Sequence, residues 1–414
     1  MDPFIARQPI FDRHRHVYGY ELLFRAGQEN CFTPGTDGDT ATSSLISDTV
    51  GIHGFSELTS GKKAFVNVTE SVLLNETYTI LPPESTVIEL LETVEMTDSV
   101  HRACKEVRKQ GYLLALDDYI GDPSFDRILD EIDILKIDFG GTDPEQRRKI
   151  AVNFEGKNTR VLAEKIETHE EFQEALELGF EYMQGYFFCK PEMIKGATLP
   201  GFKLNCLQFL QEINQPSLDL DGLEQIIIRD VSLSYQLLKT LNSASAGVRH
   251  KINSVKHAMV MLGDVQLRKW ASLIAMKNLG ADKPHELMMT SMIRGKFCES
   301  LGHLSRMSGQ ELNLFLLGLF SVLDAMLDQP MNKALHQLPL HTDVIETLSG
   351  ETTVLSPVYQ LAVAFERGEW LRIGGFGEEV GIEEDLLAKM YIDAVTWAQS
   401  VLGSQGNSSM KKAS

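Results

Sequence analysis

The chain predicts an α/β fold: a barrel of parallel strands, followed by an all-α domain. Three observations carry this prediction. Through the first 190 residues, short apolar runs alternate with amphipathic helical stretches, as a parallel sheet requires. Nearly every run ends in a polar residue suited to metal or phosphate chemistry, and a barrel of parallel strands gathers its chemistry at those ends. Beyond Pro191 the alternation stops and helical periodicity takes over.

The strand candidates are Ile5 to Ile10, Val17 to Phe24, Ala64 to Val68, Thr86 to Leu91, Leu113 to Leu116, Ile134 to Ile137, Arg160 to Ala163 and Tyr182 to Phe187. Eight strands in this length fit a closed barrel. Ser99 to Lys109, Pro144 to Phe154 and Glu170 to Leu178 read as helices between them. Gln28 to Ser43, rich in Gly, Thr, Asn, Asp and Pro, reads as a loop. In the second half, Gly222 to Leu241, Val255 to Met261 and Leu312 to Leu327 place apolar residues at i, i+3 and i+4. The boundary is expected between Pro191 and Pro200. That gives a barrel over 1–195, a helical domain over 200–402 and a disordered Gly-, Ser-, Asn- and Lys-rich tail over 403–414.

Bulk properties narrow the function. A chain of 414 residues exceeds one ordinary core. Hydrophobic content of 43% with 23% charged residues fits a soluble globular protein. A net charge of −19 argues against broad attraction to DNA, RNA or an anionic membrane. A small anionic ligand stays open, because a metal can reverse the local field. No apolar stretch is long enough to span a bilayer, and Met1 to Gln8 lacks the shape of a signal peptide. The five cysteines are scattered with no Cys-x-x-Cys pair, which reads as reduced thiols in a cytoplasm.

The strand ends carry the chemistry. Mg²⁺ or Mn²⁺ takes about six oxygen ligands. Glu21, Asn67, Glu89 and Asp117 offer such oxygens, and Asp118 is placed to hold a second ion. Two metals about 4 Å apart clamp an in-line phosphoryl displacement and activate a water. Lys136 is a candidate to neutralise or orient that nucleophile, Glu164 a candidate base, Gln184 an anchor for water or substrate, and Arg25 a fork for a phosphate. Taken singly, each residue has a plainer reading. Asp117-Asp118 suits a helix cap, and Lys136-Ile137-Asp138 an ordinary ion pair. The ordered series, rather than any one pair, supports the catalytic reading.

The series resembles the EAL domain, a barrel that binds and cleaves cyclic di-GMP. Gln8-Pro9-Ile10 resembles the family's opening Gln-Pro-Ile, and Glu21-Leu22-Leu23-Phe24-Arg25 sits where Glu-Ala-Leu-x-Arg is expected. Val66-Asn67-Val68-Thr69, Glu89-Leu90-Leu91-Glu92, Leu116-Asp117-Asp118 and Leu135-Lys136-Ile137-Asp138 match further segments in order. Ala163-Glu164-Lys165-Ile166-Glu167-Thr168 is similar to Ala-Glu-Gly-Val-Glu-Thr, and Gln184-Gly185-Tyr186 matches the closing signature. The resemblance implies metal ligands at Glu21, Asn67, Glu89, Asp117 and Asp118, and water activation by Lys136 and Glu164 with support from Gln184. It implies substrate contacts at Gln8 and Arg25. Glu92 would hold the loop after Asp118, and Glu167 would brace the site. The implied reaction is hydrolysis of cyclic di-GMP to pGpG with two Mg²⁺ or Mn²⁺ ions. Two positions depart from the pattern. Leu22 replaces the family's Ala on the face opposite Glu21, and Asp118-Tyr119-Ile120-Gly121-Asp122 replaces a glycine- and threonine-bearing loop. In the family that loop helps to hold the second metal and forms dimer contacts, so a homodimer is an open expectation here. The alternative function is a weak or inactive cyclic di-GMP sensor. A scaffold that binds no nucleotide is a third reading, disfavoured by the clustered acids.

The second half resembles an HDOD domain, a helical relative of the HD phosphohydrolases. Asp230-Val231-Ser232-Leu233-Ser234, Leu241-Asn242-Ser243-Ala244 and Ile252-Asn253-Ser254-Val255-Lys256-His257-Ala258 carry the resemblance. A hydrolase of that kind needs adjacent His and Asp ligands. Ser321-Val322 stands in their place, and the chain contains no His-Asp dipeptide. This half therefore reads as a regulatory or interaction module whose protein partner is unknown.

Overall fold

The computed structural model describes residues 4–25, 55–192, 199–241, 254–336 and 338–403. The loop expected at Gln28 to Ser43, residues 404–414 of the expected tail and residues 242–253 of the second-half signatures lie outside the described residues. Contacts divide the chain into two compact units, residues 1–190 with 361–414, and residues 191–360.

Eight strands close the barrel of the first unit in sequence order. They are β1 (Phe4–Asp12), β2 (Val17–Arg25), β3 (Lys63–Val68), β4 (Thr86–Leu90), β5 (Leu113–Leu116), β6 (Ile134–Asp138), β7 (Arg160–Glu164) and β8 (Tyr182–Gln184). All neighbouring pairs are parallel except those of β1, which runs antiparallel to both β2 and β8. The wholly parallel sheet expected from the sequence is corrected on this point. The reason is local: β1 and β2 are joined by the short turn Arg13–His16, and a parallel crossover needs a dozen or more residues. Asp12 Oδ1 closes that turn by accepting from the backbone N–H of His14 at 2.8 Å and of His16 at 2.9 Å. β8 ends at Gln184, short of the expected Phe187. Gly185 has φ +147°, and a Cβ there would lie 2.0 Å from the Ile166 carbonyl oxygen, so only glycine lets the chain turn away.

The described helices of the barrel layer are α1 (Phe55–Leu58), α2 (Glu70–Leu74), α3 (Asp98–Lys109), α4 (Pro144–Phe154) and α5 (His169–Glu177). Their starts follow capping chemistry. The Thr97 side chain accepts from Val100 N, Asp143 precedes Pro144 at the first helical position, and Thr168 with Glu171 forms a capping box.

Inside the barrel, Ile10, Phe65, Val87, Ala115, Ile134, Leu162 and Tyr182 form an apolar floor. Side chains two residues apart share a strand face, so the next inward layer along β3 to β8 is Asn67, Glu89, Asp117, Lys136, Glu164 and Gln184. One step of the pleat separates a packed core from a polar ring.

The second unit is helical: α6 (Gly201–Ile213), α7 (Leu220–Arg229), α8 (Val231–Leu241), α9 (Val255–Leu279), α10 (His285–Leu304), α11 (Glu311–Phe320), α12 (Leu323–Leu327), α13 (Met331–Leu335) and α14 (Thr342–Leu348). Two periodic runs break where side chains compete for backbone groups. Asp230 divides α7 from α8, its Oδ1 accepting from Leu233 N at 3.1 Å. Ser321-Val322 divides α11 from α12, with Ser321 Oγ donating to the Gly318 carbonyl at 2.7 Å.

α15 (Ser356–Glu366) crosses the division between the units, and α16 (Trp370–Val380) and α17 (Glu384–Gly403) belong with the barrel. Ile392 of α17 packs on Leu58 of α1, and Gln399 Nε2 donates to the Glu57 carbonyl at 2.6 Å. The helical domain expected over 200–402 therefore stops near residue 360, and the helices after it join the unit of the barrel. Periodicity shows that a helix has an apolar face, but not which core receives it. No helix among the described residues is long and apolar enough to cross a membrane.

Candidate active site

Lys136, at the centre of the polar ring, is 1% exposed. Its ammonium pairs with Glu89 and Glu164, with Asp117 at 3.1 Å and with Glu21 at 3.4 Å. Glu21 is held from both sides: Asn67 Nδ2 donates to Oε1 at 3.0 Å and Gln184 Nε2 to Oε2 at 2.6 Å. Gln184 Nε2 also donates to Gln8 Oε1 at 3.2 Å, which brings β1 into the ring. Asp118 follows in a left-handed conformation, φ +42°, which is rare for a non-glycine residue and common at functional turns.

One ammonium cannot balance four carboxylates. Burial, helped by Glu21, Asp117 and Glu164 and opposed by Lys136, holds the Glu89 carboxyl well above its usual range. Burial likewise pushes Glu164 up to about 8, against the pull of Lys136. Burial alone would discharge Lys136, but the surrounding carboxylates outweigh it and keep the ammonium charged. Burial and Asp117 raise Asp118.

The donor set suits a hard divalent cation. Oxygens of Glu21, Glu89 and Glu164 lie within 4.8 Å of one another, as do those of Glu92, Asp117 and Asp118. Asn67 Oδ1, Glu89 Oε2, Asp118 Oδ1 and Gln184 Oε1 are buried acceptors without a hydrogen bond. Such atoms are rare in folded proteins, and several in one ring mark a site that a ligand completes.

The family model for the EAL domain matches residues 57–191, and that for the HDOD domain matches residues 199–328. The chain is 34% identical over 410 residues to the uncharacterized protein YuxH of Bacillus subtilis, covering 97% of this chain and 99% of that one. It is 34% identical over 403 residues to the cyclic di-GMP phosphodiesterase CdgJ of Vibrio cholerae, covering 96% and 93%. The chain belongs to the EAL–HDOD family. Among solved structures it is similar to Klebsiella pneumoniae BlrP1 in a manganese and cyclic di-GMP complex. That match has 21% identity over 45% of this chain and 55% of that one, with TM-score 0.38. It is also similar to the Bacillus subtilis YkuI protein with c-di-GMP and calcium, at 20% identity over 64% and 71%, with TM-score 0.39.

The EAL barrel brings Gln8, Glu21, Asn67, Glu89, Asp117, Lys136, Glu164 and Gln184 into one ring, with Glu92 and Asp118 beside Asp117. The backbone of Arg25 closes β2, and its side chain lies outside the described residues. Glu167 is exposed before α5, where its backbone N–H donates to Glu171 Oε2 at 2.8 Å. The sequence assigns no role in the site to Asp138, beyond an ordinary ion pair, or to Lys165. Lys165 Nζ lies 2.5 Å from Asp138 Oδ2 and 3.9 Å from Asp118 Oδ1, with Lys165 in a left-handed conformation of φ +56°. The signal was present: a lysine stands where the resembled motif carries glycine.

Proposed function

We propose that this EAL–HDOD protein hydrolyses one phosphodiester of cyclic di-GMP to give pGpG, using two Mg²⁺ or Mn²⁺ ions. The HDOD part then serves as a non-catalytic regulatory or interaction module. The observation that carries the reading is the ring of acids in excess over Lys136, with its unmet acceptor atoms. The similarity to a relative named as a cyclic di-GMP phosphodiesterase supports the substrate.

Glu21, Asn67, Glu89 and Asp117 would hold one ion, and Asp117 with Asp118 the other. Bound divalent ions supply charge stabilisation for the phosphoryl group and lower the pKa of a water. Lys136 presents a fixed positive charge beside the attacking oxygen. Burial holds a proton on Glu164 up to about pH 8 in the cation-free ring, so Glu164 would serve as base toward the water once bound cations favour its ionised form. Gln184 orients Glu21, and Gln8 and Arg25 receive the nucleotide.

A second reading, nucleotide binding with slow or no turnover, draws on Lys165. Its ammonium stands 3.9 Å from Asp118 and competes with a second cation for that carboxylate. One experiment separates the two. Purified protein is incubated with cyclic di-GMP and Mn²⁺ or Mg²⁺, and pGpG is followed by chromatography with Glu21→Ala as control. Product lost in the variant supports hydrolysis, and tight binding without product supports the sensor. Calcium is expected to block turnover and spare binding, because it tolerates longer and looser coordination.

A further inference from the structure

The C-terminal segment of the chain reaches the ring. Where α15 ends, the segment Glu366–Glu369 meets β1, β2 and the turn after β8. Gln8 Nε2 donates to the Arg367 carbonyl at 3.1 Å, and the Tyr186 hydroxyl donates to the Glu366 carbonyl at 3.1 Å. The Arg367 guanidinium lies 4.9 Å above the Tyr186 ring. Gly368 has φ +67° and sits against Leu23, where a Cβ would lie 2.7 Å from Leu23 Cδ1.

Gln8 has an end that donates and an end that accepts, and both are committed. Its Nε2 serves Arg367, so its Oε1 faces Gln184. Gln184 in turn directs Nε2 to Glu21 and leaves Oε1 buried and unsatisfied in the ring. A backbone carbonyl 359 residues away in sequence thus sets the orientation of two side-chain amides in the site. α17, packed on α1, holds this segment on the barrel.

We infer that the segment Glu366–Glu369 is a positioning element of the active site, and that the Arg367 carbonyl orients Gln8, and through it Gln184, to recognise the cyclic dinucleotide. The binding rim is then discontinuous in sequence, completed by residues that follow the HDOD match. The inference rests on the cyclic di-GMP reading.

The test is a double-mutant cycle in the full-length chain with Gln8→Ala, Gly368→Val and the pair. KM and kcat for cyclic di-GMP are measured with Mn²⁺, and Kd by calorimetry with Ca²⁺. Each single change is expected to raise KM and Kd about tenfold, the scale of one lost hydrogen bond to a positioned group, with kcat changed by less than about threefold. The pair is expected to bind no more weakly than Gln8→Ala alone, because the segment acts through Gln8. If Gly368→Val fails to fold, Gly368→Asn tolerates the positive φ and still meets Leu23, and Leu23→Ala should restore its affinity. An unchanged Kd in the Gly368 variants of a binding-competent chain overturns the inference alone. So do losses that multiply in the pair, since an independent structural effect would do that. No binding by the wild-type chain overturns the substrate reading and this inference together.

Discussion

Both units bury lysine against glutamate, with opposite results. In the barrel, Lys136 faces Glu21, Glu89, Asp117 and Glu164, four acids around one ammonium. In the helical unit, Lys269 and Lys296 both close on Glu299, the latter at 2.9 Å. Burial pushes Glu89 and Glu164 up, and their single shared cation cannot offset it. Burial also opposes ionisation of Glu299, but hydrogen bonds from Lys269 and Lys296 outweigh it and hold that carboxyl below its usual range. A buried carboxylate met by lysines of its own is part of the scaffold, whereas carboxylates in excess over their lysine suit added cations.

Activity gives the sharpest break between the two clusters. Glu21→Ala is expected to lower pGpG formation by about 10³-fold, the scale of removing a preorganised charge contact in a transition state. Lys269→Met should leave turnover within about threefold. Loss of activity in a folded Lys269→Met protein would erase the contrast.

Stability should separate them the other way. Lys269→Met leaves Glu299 buried with a single partner, and breaking such a pair is expected to cost about 3 kcal/mol in chemical denaturation. Divalent cation should not offset that loss. In the barrel, Mn²⁺ at a hundred times its Kd should stabilise the fold by about 2.7 kcal/mol, and Asp117→Asn should remove most of the gain. Equal cation stabilisation in wild type and Asp117→Asn would mean that the ring is not where the ion sits.

Much of this ring was legible in the sequence because the barrel converts linear spacing into a layer. Phe65 lies two residues before Asn67, Val87 before Glu89, Ile134 before Lys136 and Leu162 before Glu164, so an apolar floor and a polar ring share one strand face. The direction of β1 was hidden, since alternation is the same in either sense and only the length of the Arg13–His16 turn distinguishes them. The return of α17 to β1 and α1 was hidden for a different reason. Amphipathic helices advertise burial without naming a partner, and the Gln8 to Arg367 bond joins residues at opposite ends of the chain. Lys165 was visible as a departure from glycine, but its role depends on Asp118 and Asp138 arriving beside it.

The smallest effect concerns pH. In the metal-free protein Glu164 is pushed by burial, against Lys136, from an ordinary 4.5 up to about 8. The fold therefore binds that proton more tightly than the unfolded chain does. Its contribution to stability is present in full below about 4.5 and is lost as pH rises through about 8. A divalent cation held beside Glu164 opposes the same proton, because its charge favours the ionised carboxylate. Mn²⁺ is thus expected to bind roughly five- to tenfold more weakly at pH 7 than at pH 8, with proton release on binding. Calorimetry in buffers of different ionisation enthalpy measures both quantities. Glu299, held below its usual range, should add no pH dependence to stability in that window. Equal Mn²⁺ affinity at the two pH values, with no proton released, would show that the excess of acids around Lys136 is not what the cation answers.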